Sequence, residues 1–287
     1  MSTLLAPRHI GILIIILKTT LVVFIILQLT VFSQKGLDIS LDEQFLFFAI
    51  AGFIAQLIDG ALGMAYGVSC TTFLLNFGIP PALASASVHT AEVFTTGVSG
   101  LSHLFLKNVN TKLFFKLAIP GVIGAVVGAY LLSAVLDGGL VKPYIAAYLF
   151  FIGIFILIKS FKVFKPKEEV KKVSLLGLTG GFFDSIGGGG WGPIVTSNLI
   201  AQGKTPKETI GTVNTAEFFV TFFSTGVFLF FVGIDSWKII LGLIIGGVIA
   251  APLGALMATK VKPRVLMFLV GLVIIITSSY TIYKSLG

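Results

Sequence analysis

Two apolar stretches of this sequence carry matching stripes of polar residues. The stripes are His89, Glu92, Thr96 and Ser99 in the first stretch and Asn214, Glu217, Thr221 and Ser224 in the second. Offsets of 0, 3, 7 and 10 residues lie on one face of a helix. Carboxylates and a histidine on a buried face can bind cations or take up and release protons. The stripes therefore mark two candidate functional faces that point into a helical bundle.

The helices that carry these stripes belong to a membrane protein. The chain has 287 residues, of which 56% are hydrophobic and 11% charged, whereas soluble domains carry about a quarter charged residues. Apolar runs of about 20 residues recur along it, and that length crosses a hydrocarbon core of about 30 Å. We therefore predict an all-α, multi-pass membrane protein.

The charges and the cysteine content exclude other classes. The net charge of +8 concentrates in short loops at 159–172 and 260–264, as expected of cytoplasmic loops, so we predict no nucleic-acid partner. The single Cys70 excludes a disulfide framework and a cysteine-ligated zinc site within one chain. The run at 10–33 lacks a clear cleavage site, and we interpret it as a retained first helix rather than a signal peptide.

The rest of the chain is an internal duplication. Residues 52–100 superpose on 177–225 without a gap, and fifteen of the 49 positions are identical. The shift of 125 residues places Asp59 on Asp184 and Glu92 on Glu217. Each half contains a broken apolar segment, at 45–77 or 174–202, followed by three uninterrupted spans. These spans are predicted at 84–106, 113–136, 141–160, 208–231, 238–258 and 264–284.

The basic loops all fall on the cytoplasmic side only if each broken segment enters and leaves on the same face. Each half then has three full spans, an odd number, so the two repeats are inverted. We predict seven full spans, a cytoplasmic N-terminus, an outside C-terminus and two re-entrant hairpins that enter from opposite faces. The single membrane domain divides into an N-terminal helix and loop at 1–40, repeat 1 at 41–161, a basic cytoplasmic loop at 162–173 and repeat 2 at 174–287.

The glycine-rich sequence at 180–192 marks the tip of the second hairpin. Non-helical backbone occurs at membrane depth only where protein or a water-filled cavity surrounds it. We predict half-helices at Leu175–Asp184 and Gly192–Gln202, joined by a turn at Ser185–Gly190; Gly60, Gly63 and Gly67 mark a weaker copy in repeat 1. Two half-helix N-termini that meet between inverted repeats form a transporter site, and helix N-termini bind anions without Arg or Lys.

These considerations give the predicted site. The substrate-binding residues are Gly63, Gly67, His89, Thr90, Gly188, Gly189, Gly190, Trp191, Asn214 and Thr215. Proton coupling or gating is assigned to Asp59, Glu92, Asp184 and Glu217. The competing interpretations are structural: the aspartates cap half-helices, the glutamates are protonated or bond to hairpin backbone, and His89 is a hydrogen-bonding fixture. Close helix packing alone accounts for Gly52, Gly121, Gly124 and Gly128. We predict no cofactor, no resident metal site and no catalytic residue.

An enzyme is the remote alternative. Residues 97–100 read GVSG, which matches the GxSG of rhomboid-type intramembrane serine proteases, and His103 lies one turn after Ser99. The duplicated position reads STGV, and those proteases lack this duplication. We therefore predict that the chain is not an enzyme.

Two segments carry a resemblance to a known family: GFIAQLIDGALGMAYG with FGIPPALASASVHTAE, and GLTGGFFDSIGGGGWG with QGKTPKETIGTVNTAE. Together they resemble the TauE/SafE sulfite exporter family over residues 45–284. The resemblance implies that the substrate is a small sulfur-containing or organic anion such as sulfite or a sulfonate, since family members are linked to export or uptake of such anions. With the inverted repeats and the intramembrane carboxylates, we predict a secondary transporter of the plasma membrane that exports this anion by alternating access and is coupled to protons. The carboxylates favour a second reading, a cation or metal-ion transporter, because hard cations prefer oxygen ligands.

Overall fold

The structure is a computed structural model that describes residues 7–27, 42–62, 64–161, 172–202, 206–233, 237–260 and 263–286. Within these ranges the regular secondary structure is helical throughout. The helices are α1 (Pro7–Leu27), α2 (Glu43–Leu62), α3 (Tyr66–Asn76), α4 (Pro81–Phe105), α5 (Thr111–Tyr130), α6 (Gly138–Phe161), α7 (Val173–Gly187), α8 (Ser197–Ala201), α9 (Pro206–Phe231), α10 (Trp237–Lys260) and α11 (Pro263–Leu286). A π-helical turn at Leu131–Val135 follows α5, and another at Gly192–Thr196 precedes α8.

Several helices are long and apolar enough to cross a bilayer, which confirms the prediction of an all-α, multi-pass membrane protein. Among the described residues there are five such stretches: Pro7–Leu27, Thr111–Val135, Gly138–Phe161, Glu208–Phe231 and Met267–Ser285. Helices α4 and α10 have 25 and 24 residues and supply the length for the other two predicted spans.

Among the described residues, both predicted broken segments contain non-helical backbone between two helical parts: Met64 and Ala65 in repeat 1, and Gly188–Gly190 in repeat 2. In repeat 1, α2 ends at Leu62 and α3 begins at Tyr66. In repeat 2, the predicted end of the first half-helix at Asp184 is wrong, because α7 continues to Gly187. The helix stops at Gly188, whose left-handed φ of 68° and N–H bond to the Asp184 carbonyl close its last turn. The turn therefore begins three residues later than the sequence indicated.

The two repeats interlock, because each broken segment packs mainly against a helix of the other repeat. Helix α2 packs along α10 and α7 packs along α5, while α4 pairs with α9 and α6 with α11. A Cβ atom added at Gly52 would lie 2.5 Å from the Leu243 carbonyl oxygen, and one at Gly128 would lie 2.5 Å from that of Phe182. Added Cβ atoms at Gly121 and Gly124 would likewise overlap the neighbouring helices. The prediction that these four glycines permit close packing is confirmed.

Helix α1 lies against the paired helices α4 and α9. Lys18, near its middle, donates a hydrogen bond from Nζ to the Phe94 carbonyl at 3.4 Å. The α4–α9 pair, which carries both polar stripes, is also in contact with α10 and α7.

Candidate functional site

The tips of the two broken segments meet beside the α4–α9 pair. A Cβ atom at Gly67 would lie 2.9 Å from the Gly189 Cα atom, and one at Gly192 would lie 2.8 Å from the Met64 Cα atom. Gly189 has a φ of 151°, where L side chains are strained. Because these glycines have no side chain, the backbone of one broken segment can contact the backbone of the other directly.

The two duplicated aspartates cap the helices that follow the breaks. Oδ1 of Asp59 accepts a hydrogen bond from the Tyr66 N–H at 3.3 Å, and Oδ1 of Asp184 accepts one from the Trp191 N–H at 2.9 Å. Both bonds span seven residues, so the duplication has preserved the contact as well as the residue. The interpretation of these residues as caps is confirmed, and each cap satisfies one of the free N–H groups at a helix start.

The side chain of His89 connects α4 of repeat 1 to α7 of repeat 2. Its Nε2 atom lies 3.1 Å from Oδ2 of Asp184, and both side chains are buried. Its Nδ1 atom lies 2.8 Å from the Ser85 carbonyl oxygen. Because a carbonyl can only accept, Nδ1 carries a proton, and a further proton shared between Nε2 and Oδ2 makes the second bond. This pair therefore links the two repeats through a buried side-chain contact.

Glu92 completes a buried cluster with this pair. One oxygen, Oε1, lies at the backbone of Gly67, whose N–H bonds the carboxyl group. The other oxygen, Oε2, is buried and has no hydrogen-bond partner among the residues that the structure describes. One ligand atom each from His89, Glu92 and Asp184 lies within 4.8 Å of the other two. The cluster combines an imidazole with two carboxyl groups, so it can hold protons or a cation.

The second repeat provides a different environment at the corresponding positions. Asn214, which stands where repeat 1 has His89, donates from Nδ2 to Oγ of Ser99 at 2.9 Å. Asp59 and Glu217 are partly exposed, whereas Asp184 and Glu92 are buried. The four carboxyl groups therefore divide into a closed pair and a more open pair.

In this structure, other side chains that were predicted to contact substrate donate hydrogen bonds to backbone carbonyl groups. Thr90 donates to the Ala86 carbonyl and Thr215 to the Gly211 carbonyl, both at 2.7 Å. The Trp191 indole N–H donates to the Val213 carbonyl at 3.3 Å, and the ring is fully buried. Gly63 lies outside the described residues.

Gly188 and Gly190 lie against side chains that the sequence analysis did not identify. Thr71 donates from Oγ1 to the Gly188 carbonyl, and the Tyr148 hydroxyl, which lies against Gly190, donates to the Gly189 carbonyl at 3.0 Å. Thr71 is one of the identical positions of the duplication, so a signal for it existed. Tyr148 lies outside the aligned stretch, and only the fold brings it to the tip.

Ser85 was also missed, although it lies one helical turn before His89. Its hydroxyl donates to the Ser185 carbonyl at 2.7 Å and so reinforces the contact of α4 with α7. The residues of the protease alternative have other contacts: Oγ of Ser99 accepts from Asn214, and Nδ1 of His103 lies 3.4 Å from the Asn108 amide. A serine nucleophile needs a base within hydrogen-bond reach, and these contacts do not provide that pairing.

Comparison with known proteins agrees with this membrane architecture. The family model described as "Sulfite exporter TauE/SafE" matches residues 48–281. A relative in Bacillus subtilis (strain 168), named "Probable membrane transporter protein YtnM", is 44% identical over 250 residues, covering 84% of this chain and 83% of the relative. "Probable membrane transporter protein ORF9" of Sinorhizobium sp is 29% identical, covering 73% of this chain and 81% of the relative. No solved structure gives a significant match.

A plant protein matches a shorter part of the chain. "Sulfite exporter TauE/SafE family protein 6" of Arabidopsis thaliana is 32% identical over 89 residues, which cover 30% of this chain and 20% of the relative.

Proposed function

Because this chain belongs to the TauE/SafE sulfite exporter family of membrane transporters, we propose that it exports a small sulfur-containing or organic anion, such as sulfite or a sulfonate. The family description and the name of the plant relative both refer to sulfite. The membrane is the plasma membrane, with the N-terminus in the cytoplasm and the C-terminus outside, as the basic loops predict.

One observation carries the anion assignment: the first turn of α3, at Gly67, lies against Gly189, in the non-helical stretch that precedes the helical turn at Gly192–Thr196 of the other repeat. A helix start presents free N–H groups and a partial positive charge, and both attract anions. The caps Asp59 and Asp184 take one N–H group each. Further N–H groups in the same first turns can bind a small anion.

An anion bound beside Gly67 and Gly189 would be repelled by ionised carboxylates, so the neighbouring carboxyl groups must be protonated when it binds. A proton on Glu92 and a proton shared by His89 and Asp184 remove both charges of the buried pair. Because Oε2 of Glu92 is buried without a partner, an ionised Glu92 would leave an uncompensated charge there. We therefore propose that proton uptake at these residues precedes anion binding on one side of the membrane, that the protons and the anion are released on the other side, and that the empty carrier returns without them.

In this proposal, the two repeats make the substrate site accessible from each side of the membrane in turn. If the repeats are inverted, exchanging their conformations moves the opening from one face of the membrane to the other. The present arrangement, with Asp184 buried and Asp59 partly exposed, fits a carrier that is closed beside the second hairpin and more open beside the first. Asn214 would approach Asp59 in the opposite state, as His89 approaches Asp184 here.

A flux assay tests the proposal. The full chain is reconstituted in proteoliposomes and supplied in turn with sulfite, a sulfonate and Zn²⁺, with and without a pH gradient. We expect an anion to move, and to move faster when protons are supplied to the same side. Transport of Zn²⁺ without either anion would overturn the anion proposal and would favour the cation transporter that the buried cluster also allows.

A further inference from the structure

We propose that His89, Glu92 and Asp184 form a binding site for a first-row divalent cation such as Zn²⁺ or Mn²⁺. Their ligand atoms lie within 4.8 Å of one another, and all three side chains are buried. Nitrogen and oxygen ligands bind zinc at about 2.0–2.2 Å, so ligands of one ion lie about 3–4 Å apart. A contraction of at most about 1–2 Å therefore closes the cluster around an ion.

His89 is oriented as a metal ligand. Its Nδ1 proton donates to the Ser85 carbonyl at 2.8 Å, which leaves Nε2 to face Asp184. Metal-binding histidines are commonly held in this way, because a second hydrogen bond fixes the tautomer and the plane of the ring. Asp184 is held similarly, since Oδ1 accepts from the Trp191 N–H and Oδ2 is left toward the histidine.

Glu92 supplies an independent indication of a ligand. The side chain is 3% exposed, and its Oε2 atom is buried without a hydrogen-bond partner in the described part of the chain. A buried polar oxygen without a partner destabilises the folded state by roughly 1–3 kcal/mol. In this proposal Oε2 binds the cation, which becomes its missing partner, whereas Oε1 remains at the Gly67 backbone.

The donor set indicates the class of cation. Metal binding displaces the proton shared by Nε2 and Oδ2 and any proton on Glu92. The remaining neutral imidazole and two carboxylates carry a charge of −2, which a divalent ion balances. Imidazole suits Zn²⁺, Fe²⁺ and similar ions, whereas Ca²⁺ takes six to eight oxygen ligands, far more than this cluster offers. The partly exposed Asp59 and Glu217 lie close enough to interact electrostatically with Glu92, and their charges also attract a cation.

A titration of the purified full-length protein in detergent tests the site. We expect Zn²⁺ to bind with one ion per chain by calorimetry, Co²⁺ to give visible absorption bands in the same place, and Ca²⁺ to give no signal. H89Q, E92Q and D184N should each weaken Zn²⁺ binding by more than about tenfold. H103Q and E208Q remove a histidine and a carboxylate outside the cluster and should keep the affinity.

A folding defect is separated from a lost ligand in two ways. Gel filtration and the helical circular dichroism of each variant report whether the variant folds. X-ray absorption of the Zn²⁺-loaded wild type needs no variant and should show one imidazole among nitrogen and oxygen ligands at about 2.0–2.2 Å.

Two results would overturn the proposal: a wild-type protein that binds neither Zn²⁺ nor Co²⁺ at millimolar concentration, or folded variants that bind as tightly as the wild type. The site goes beyond the proposed anion transport and fails separately from it. Anion flux measured with a chelator does not depend on the metal, and the metal titration contains no anion substrate.

Discussion

Gly189→Ala tests the contact between the two hairpin tips. The glycine has a φ of 151°, and an added Cβ atom would overlap the Val68 nitrogen and the Gly67 carbonyl carbon. Both obstacles are backbone atoms, so no side-chain rotation relieves them. A backbone strain of about 1–3 kcal/mol and an overpacking cost of about 1–3 kcal/mol add to a loss of about 2–6 kcal/mol in unfolding free energy.

Two other glycines separate these contributions. Gly78 also has a positive φ, of 82°, but an added Cβ atom meets nothing within 4 Å, so Gly78→Ala should cost only the backbone strain of about 1–2 kcal/mol. Gly226 lies inside α9, again with nothing within 4 Å. Gly226→Ala should stabilise the protein by about 0.5–1 kcal/mol, because alanine is the better helix former.

The three variants are compared by denaturant titration of the purified protein in one detergent, with flux measured on each variant that folds. We expect the order of stability Gly226→Ala, wild type, Gly78→Ala, Gly189→Ala. If Gly189→Ala were as stable as Gly78→Ala, the two tips would not be in backbone contact, and the site built on that contact would be wrong.

Two further predictions concern the carboxyl groups at the tips. Asp59→Ala removes a helix cap and should lower the unfolding free energy by about 1 kcal/mol. Asp184→Ala should lower it by about 3–5 kcal/mol, because this substitution also removes the partner of the buried His89 side chain. Equal losses of unfolding free energy in the same denaturant titration would contradict the buried His89–Asp184 pair. Glu92→Gln keeps an acceptor for the Gly67 N–H but cannot release a proton, whereas the His89–Asp184 pair is unchanged, so an imposed pH gradient should accelerate sulfite flux in proteoliposomes less than it does for the wild type. Unchanged acceleration would remove the proton role from Glu92.

The helices could be predicted from the sequence because each is a long apolar run with polar ends. The break in each duplicated segment was also predictable, since Asp59 and Asp184 align and glycines follow both. The end of α7 was placed too early because Asp184 was read as a boundary. In fact, the residues Ser185–Gly187 keep helical backbone, and the left-handed Gly188 ends the helix.

Contacts between side chains of different helices were harder to predict. A polar stripe shows which face of a helix is functional, but it does not show which helix packs against that face. The stripe identified His89 and Glu92 but did not show that His89 reaches Asp184 of the other repeat. Tyr148 has no copy in the aligned stretch, so nothing in the sequence connected it to Gly189. These contacts depend on the interlocking of the repeats.

The same interlocking explains why one substitution within the duplication has a large consequence. At equivalent positions, His89 bonds an aspartate of the other repeat, whereas Asn214 bonds Ser99. An imidazole can take up a proton or bind a cation, and an amide can do neither under ordinary conditions. The two repeats therefore share a backbone plan, including both aspartate caps, but among the described residues they differ in the chemistry at this position: an imidazole bonded to a buried carboxyl group in one and an amide bonded to a hydroxyl group in the other. The proposed proton and metal chemistry therefore rests on the His89 side of the duplication.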